Sequence, residues 1–174
     1  MDKEIQALIK HFDFQTLPVE GTFFKSTYRS SREIENGRPV GTAMIGMYCN
    51  DPPSISLFHK LKHDEVWHFY GGDPLHLILL YPDGTSRDVL MGSDPLRGHL
   101  LQFVIPAGVW QAGHTVDGGK YSLFGCTLAP GFTDDIFEGG NAAALLDEYP
   151  ARREEILKFG IQGGETSMPK GFAS

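Results

Sequence analysis

The sequence has 174 residues, 41% of them hydrophobic, and its 22 Asp and Glu against 15 Lys and Arg leave a formal net charge of -7. A chain of this length folds as one domain and buries roughly two thirds of its unfolded surface, so it needs no disulfide or structural metal for stability. The acidic balance, with no segregated basic patch, argues against nucleic acid as a partner.

The compartment is predicted from the N-terminus and the cysteines. The first residues are charged, and no apolar run approaches the ~18 residues of a membrane span, so we expect a cytoplasmic protein without a membrane contact. Cys49 and Cys126 lie in apolar, strand-like runs, which favours two buried free thiols in a reducing compartment over a disulfide.

In chain order, the hydrophobic pattern begins helical and then becomes alternating. Residues 2–12 place apolar side chains at helical spacing with charges between them, which predicts a short amphipathic helix. Nine short runs rich in aromatic and branched residues follow, and each predicts a strand: 23–30, 40–49, 54–61, 65–70, 75–80, 86–90, 100–105, 110–116 and 121–128.

Tight-turn signals such as Asn36-Gly37 and Asp117-Gly118-Gly119 separate these runs, so the sequence predicts an all-β sandwich, jelly roll or barrel. A jelly-roll barrel keeps a mouth in which a small ligand fits. Two helices are expected at residues 142–149 and 150–159. We therefore predict a single domain over residues 1–162 and a flexible tail over residues 163–174.

The densest group of chemically active side chains lies in residues 57–73. His59 and Glu65 are six residues apart across a turn, so two neighbouring antiparallel strands can aim both into one cavity. If Glu65 points inward, alternation turns Trp67 and Phe69 inward as well and His68 outward.

This block resembles the first motif of the cupin superfamily, a metal-binding motif carried on two barrel strands. His59, Glu65 and Gly72 occupy three of its four places, and Leu61 stands where the second His belongs. The second cupin motif is similar to residues 106–111, where Gln111 replaces the final His. The resemblance therefore implies a reduced metal-ligand set of His59 and Glu65.

A narrower resemblance covers most of the chain and points to the cupin-5 group, also called DUF985, a domain of unknown function. Its hallmarks stand here in order as Glu20-Gly21-Thr22-Phe23-Phe24-Lys25, Tyr28-Arg29-Ser30, Phe58-His59, Asp64 to Tyr70, Gly72-Asp73-Pro74-Leu75, Pro82-Asp83-Gly84, Pro106-Ala107-Gly108, Trp110-Gln111 and Gly125 to Phe132. The chain departs from the group at Pro18-Val19, where members tend to carry His-Pro.

The resemblance implies a jelly-roll barrel, a homodimer and a pocket like that of the sugar-nucleotide epimerases. In that likeness His59 is the general base, and a tyrosine such as Tyr121 or Tyr28 returns the proton. Further candidates for binding the ligand are the cation Lys25 together with Arg29, the aromatic side chains Tyr28, Trp67 and Phe69, and the amides Gln102 and Gln111.

Three functional hypotheses remain open. The first is a metal-free isomerase or epimerase acting on a sugar or sugar nucleotide, with His59, Glu65 and Tyr121 as catalytic residues. The second is a cupin that binds a small molecule without converting it. The third is a metal-dependent enzyme with His59 and Glu65 as ligands, and it is the weakest of the three because Leu61 and Gln111 replace two usual ligands. No cofactor is required by the first two.

Overall fold

The computed structural model describes residues 2–173, which form fourteen strands and three α-helices. The helices are α1 (Lys3–Phe12), α2 (Ala142–Glu148) and α3 (Arg153–Phe159). The strands are β1 (Gln15–Thr16), β2 (Phe23–Arg29), β3 (Glu33–Ile34), β4 (Arg38–Pro39), β5 (Thr42–Asn50), β6 (Pro53–Ser54), β7 (Ser56–Leu61), β8 (Glu65–Gly72), β9 (Leu75–Leu80), β10 (Ser86–Met91), β11 (Gln102–Ile105), β12 (Trp110–Thr115), β13 (Tyr121–Leu128) and β14 (Phe137–Gly139).

Twelve of the strands form two antiparallel sheets that face each other, and β3 and β4 form a separate two-stranded sheet. The larger sheet has the order β1-β2-β5-β13-β8-β11, with β6 added to β5, and the smaller sheet has the order β10-β9-β12-β7-β14. From β7 onward the chain passes back and forth between the sheets, as a jelly roll requires. The predicted all-β jelly roll with helices at both ends is confirmed, and all nine predicted runs contain strands.

The alternation predicted for β8 is also confirmed. Glu65, Trp67 and Phe69 are buried between the sheets, whereas His68 is half-buried on the outer face and Tyr70 is 57% exposed. Trp67 packs there against further aromatic rings from β5 and β13. The inner faces of both sheets therefore supply one hydrophobic core with a polar region at Glu65.

The α1 helix covers the outer face of the larger sheet. Asp2 caps it by accepting a hydrogen bond from the Glu4 amide at 2.8 Å, and Ile5 packs against Met47 of β5. Cys49, in the same layer, is a buried free thiol, as is Cys126 on the inner face of β13. No helix within residues 2–173 is long and apolar enough to cross a bilayer.

The C-terminal helices cover the outer face of the smaller sheet. Asn141 caps α2 by accepting a hydrogen bond from the Ala144 amide at 3.1 Å, as its position in the sequence predicts. Leu145 of α2 and Ile156 of α3 pack against Phe58 of β7. Both helices are thereby held by burial of apolar side chains, since neither is long enough to be stable alone.

Residues 163–173, which we predicted to form a loose tail, lie against the barrel. The Gly139 amide of β14 donates to the Thr166 carbonyl at 2.6 Å, and Met168 is only 5% exposed. Further along, the carboxylate of Asp134 accepts the amides of Gly171 and Ala173 at 2.6 and 2.8 Å. This segment therefore reaches the opening between the two sheets.

Candidate functional site

A cavity of about 410 Å³ lies between the sheets and opens beside β2. Its walls include six Phe and Trp side chains, among them Phe24, Phe137 and Phe172. Its floor is polar, because Glu20, His59 and Glu65 all line it. This volume lies within the range of small-molecule sites, which are commonly apolar cavities with a few convergent polar groups.

His59 and Glu20 form a buried pair at the floor of the cavity. His59 Nε2 lies 3.0 Å from Glu20 Oε2, and the two side chains are only 5% and 8% exposed. His59 Nδ1 lies 2.8 Å from the Leu57 carbonyl oxygen, which can only accept, so Nδ1 carries a proton. The ring also stacks on Phe137 at 5.4 Å. The second ring nitrogen, Nε2, therefore faces the Glu20 carboxylate.

A chain of buried hydroxyl groups leads to Glu20 from the barrel core. Thr22 Oγ1 donates to Glu20 Oε1 at 2.6 Å, and Ser56 Oγ lies 2.7 Å from Thr22 Oγ1. Tyr48 Oη lies 2.7 Å from Ser56 Oγ. Burial raises the pKa of the Tyr48 phenol well above its ordinary value, so it remains a donor. Together these groups fix the orientation of the Glu20 carboxylate.

A β-bulge in β7 brings Ser56 and His59 to the same face. His59 pairs with Gln111 of β12, and Ser56 pairs with Gly113. Between these two pairs β7 therefore contains one residue more than β12. Phe58, between them, points outward toward the C-terminal helices. Bulges commonly re-aim side chains beside functional sites, and this one adds a hydroxyl next to the imidazole.

Glu65 is the second carboxyl group at the floor. Its Oε2 accepts hydrogen bonds from Trp67 Nε1 at 3.0 Å and from Gln111 Nε2 at 2.8 Å. Burial raises the pKa of Glu65 above its ordinary value, and the Glu20 carboxylate adds to the rise, although His59, Gln111 and Trp67 oppose it. The protonated acid is therefore easier to form here than at an exposed glutamate.

Gln111 carries the one buried side-chain oxygen or nitrogen within residues 2–173 that lacks a hydrogen-bond partner. Its Oε1 has no partner, although the residue is 1% exposed and its Nε2 binds Glu65. An unsatisfied buried amide oxygen costs stability, and such groups in native proteins commonly belong to functional sites. Gln111 is therefore part of this polar cluster and supports Glu65.

The rim of the cavity carries two cations from β2. Lys25 Nζ lies 2.7 Å from Asp13 Oδ2, and Arg29 Nη1 donates to the Phe132 carbonyl at 2.9 Å. We predicted that these two side chains share a face of one regular strand. The strand instead contains a bulge at Thr27, and the extra residue shifts the alternation so that Arg29 pairs with Thr42, which itself lines the cavity.

The structure brings together six of the predicted site residues. Five line the cavity, namely His59, Glu65, Trp67, Lys25 and Arg29, and Gln111 reaches it through its hydrogen bond to Glu65.

Four predicted site residues lie elsewhere. Tyr121 is on the outer face of β13, where its hydroxyl donates to Glu4 at 3.2 Å, because it differs by an odd number of positions from the inward Phe124. Tyr28 is 54% exposed, since the bulge in β2 turns it outward. The other two, also outside the cavity lining, are Phe69 in the core and Gln102 on the outer face beside His68.

Glu20 is the main site residue that the sequence did not single out. It belongs to the loop before β2 and is 39 positions from His59, so no local periodicity joins them. The signal available in the sequence was the hallmark Glu20-Gly21. Gly21 has φ +89°, a conformation that favours glycine, and it positions the loop that delivers Glu20 to the floor.

Comparison with known proteins agrees with this architecture. The model of the family described as cupin superfamily (DUF985) matches residues 6–139, about three quarters of the chain. The chain belongs to this cupin family. One relative is the uncharacterized protein YML079W of Saccharomyces cerevisiae, which is 30% identical over 141 residues. The match covers 72% of this chain and 66% of the yeast protein, so the chain spans just under two thirds of that protein's length.

Solved structures of similar cupins include two uncharacterized proteins. Protein SO0799 from Shewanella oneidensis is 30% identical with a TM-score of 0.83, covering 91% of this chain and 98% of that one. A hypothetical protein from Leishmania major is 28% identical with a TM-score of 0.81, covering 90% and 98%. Oxalate decarboxylase from Bacillus subtilis, at 13% identity and a TM-score of 0.53 over 91% and 40%, shares the fold alone.

The donor set of this cupin does not suit a resident transition metal. Leu61 lines the cavity at the place of a usual His, and Gln111 replaces another. His59 Nε2 is paired with Glu20, and Glu65 Oε2 is held by two N–H donors. Within residues 2–173 no three His, Cys, Asp or Glu side chains are arranged to bind one ion. The residues present therefore do not fit such a metal as they are arranged.

Proposed function

We propose that this cupin binds a small carbonyl-bearing molecule, a sugar or sugar nucleotide, and isomerises or epimerises it by proton transfer without a metal. The observation that carries the proposal is the His59–Glu20 pair, with Nε2 and Oε2 3.0 Å apart, at the floor of a 410 Å³ cavity that also contains Glu65. A buried base beside a buried acid is the arrangement that proton abstraction next to a carbonyl needs.

The base in this mechanism is the His59–Glu20 pair. Both ring nitrogens of His59 face acceptors, the Leu57 carbonyl and Glu20 Oε2, so His59 acts in the pair through Glu20, whose other oxygen is fixed by Thr22. The proton removed from the carbon next to the substrate carbonyl passes to the Glu20 carboxylate. The C–H electrons become the C=C bond of an enol as the carbonyl oxygen takes the proton of Glu65.

The acid is Glu65 instead of the predicted Tyr121, because Tyr121 lies outside the cavity. Burial raises the pKa of Glu65, which makes this carboxyl group easier to protonate than an exposed glutamate, and the proton that it then carries can be donated to the developing oxyanion of the substrate. Trp67 and Gln111 both donate to Oε2, so the proton of the acid is carried on the other oxygen. Return of the proton from the His59–Glu20 pair to the neighbouring carbon, while Glu65 takes a proton back from the adjacent hydroxyl group, completes an isomerisation.

The test is solvent deuterium exchange. The protein is incubated in D2O with a panel of sugars, sugar phosphates and sugar nucleotides, and mass spectrometry detects deuterium at the carbon beside the carbonyl. We expect exchange with the wild-type protein and with His11→Asn, which changes an exposed histidine on α1. His59→Asn should abolish it while leaving the thermal unfolding curve cooperative. Exchange that persists in His59→Asn would refute the proposed base.

A second function, binding without conversion, is favoured by one specific contact pattern. Both ring nitrogens of His59 are already occupied by protein acceptors, Leu57 and Glu20. In a binding protein this pair would serve only to hold a ligand hydroxyl group through Glu20. The same incubation separates the two functions, because a binding protein returns every ligand without deuterium, including one that co-purifies with it.

We also propose a homodimer in the cytoplasm. A dimer is supported by exposed apolar side chains on and beside neighbouring strands β8 and β11, where Tyr70, Leu101 and Val104 are 57%, 53% and 47% exposed. Two free buried cysteines support a reducing compartment. Light scattering after size exclusion should give twice the mass of the chain, and the mass of a single chain would contradict the dimer.

A further inference from the structure

The mouth of the cavity carries a cation with an unusual set of contacts. Arg29 lines the cavity, and its guanidinium Nη1 donates to the Phe132 carbonyl at 2.9 Å. None of the ion pairs among residues 2–173 includes Arg29, whereas Lys25 nearby is paired with Asp13 at 2.7 Å. The Lys25 charge is therefore paired with a carboxylate, whereas the Arg29 guanidinium is held by a carbonyl and has no carboxylate partner among residues 2–173.

Arg29 is directed toward the cavity by the backbone itself. Regular alternation along β2 would place it on the same face as Lys25, which pairs with the outward Ile45. The bulge at Thr27 adds one residue, so Arg29 pairs with the cavity-lining Thr42. An arginine that is only solvated at the surface does not require a bulge to turn it.

The register of the larger sheet fixes where this cation lies relative to the acidic floor. One cross-strand row runs through four neighbouring strands and contains Arg29, Thr42, Leu128 and Glu65. Three strand spacings separate the backbones at its two ends by about 14 Å. All four side chains line the cavity. The cavity is therefore basic at its mouth and acidic at its floor, with an apolar side chain between.

We infer that the ligand carries an anionic group, phosphate or carboxylate, that Arg29 binds at the mouth while the uncharged end of the ligand reaches Glu65 and His59. This inference rests on the proposed function for the cavity and specifies the class of substrate. An anion at the floor would face the Glu20 carboxylate, so repulsion orients the ligand with its charge outward. The guanidinium group of an arginine can form paired hydrogen bonds to the oxygens of either a phosphate or a carboxylate group.

The test titrates the protein with inorganic phosphate and, separately, with acetate, and follows backbone amide shifts by NMR. We expect saturable shifts at Arg29, Thr42 and Phe132. Arg29→Gln should weaken binding at least about tenfold, because a charge-assisted hydrogen bond is lost. Arg32→Gln is the matched control, since Arg32 is exposed and outside the cavity lining, and it should bind as the wild type does.

Each outcome decides the inference. Tighter binding of phosphate than acetate indicates a phosphate ester, and the reverse indicates a carboxylate. Chemical shifts that do not saturate would overturn the anion site. An equal affinity of Arg29→Gln and the wild type for the anion would overturn it as well. His59→Asn should bind the anion as the wild type does, so a failure of the proton-transfer proposal leaves this result unchanged and the two can be told apart.

Discussion

Replacing Glu65 by Gln should make the protein more stable at neutral pH. Glu65 is 7% exposed, and its Oε2 accepts hydrogen bonds from Trp67 and Gln111. A glutamine amide has the shape of a protonated carboxylic acid, and its oxygen can accept both of these bonds. The substitution therefore keeps the contacts of the protonated acid and removes the cost of ionising it in a buried site.

The pH dependence follows from the direction of the pKa shift. Burial raises the pKa of Glu65 in the folded protein above the ordinary value of 4.5 that the unfolded chain retains. Between these two values the folded state binds more protons, so wild-type stability falls as pH rises, by at most about 1.4 kcal/mol per pH unit from this group. Below 4.5 the two proteins should agree within about 1 kcal/mol, and above the raised pKa their difference should be constant.

The assay is urea unfolding of both proteins at half-unit steps from pH 4 to pH 8. The stability of Glu65→Gln relative to wild type should increase with pH and then level off. Glu138→Gln is the matched control, because Glu138 is exposed and pairs with Lys60 at the surface, so it should not reproduce this rise. A difference that is flat, or that favours wild type as pH rises, would show that Glu65 is held ionised and would refute its role as the acid.

Two further substitutions test the packing around the site. Gly46→Ala would place its Cβ 2.5 Å from ring carbons of the buried Phe124, so we expect a loss of about 1–3 kcal/mol in urea unfolding. At Gly71 an added Cβ would meet no atom of residues 2–173 within 4 Å apart from its chain neighbours, so Gly71→Ala should change stability by less than about 0.5 kcal/mol. Equal losses in the two variants would contradict this. Asp134→Ala removes the acceptor of two amides in residues 166–173, so hydrogen exchange there should accelerate roughly tenfold, and unchanged exchange would refute the attachment.

Much of the fold could be predicted because alternation is a local property of the sequence. The predicted runs at 75–80 and 121–128 coincide with β9 and β13, and alternation in β8 placed Glu65 and Trp67 inward. The same rule, applied to β13, places Tyr121 on the face opposite Phe124. In the structure Tyr121 lies on that outer face, outside the cavity in which an acid would have to face His59.

The remaining features of the site depend on pairing between distant segments. The bulges that turn Ser56 and Arg29 toward the cavity are set by the register with β12 and β5, and nothing in their local sequence marks them. Glu20 approaches His59 only after the loop before β2 packs beneath the barrel. Strand β14 has three residues, too few for a periodic signal, although it carries the Phe137 that stacks on His59.

The claim that the barrel cavity is the functional site is tested most directly by blocking it. Ser26 is exposed and lines the mouth, so Ser26→Trp fills the opening without disturbing the core, and Thr27→Trp places the same bulk on a neighbouring residue outside the cavity lining. Each protein is exposed to a metabolite extract, and native mass spectrometry measures the bound small molecule. We predict one bound species in wild type and Thr27→Trp and none in Ser26→Trp, whereas equal occupancy in all three would contradict the account.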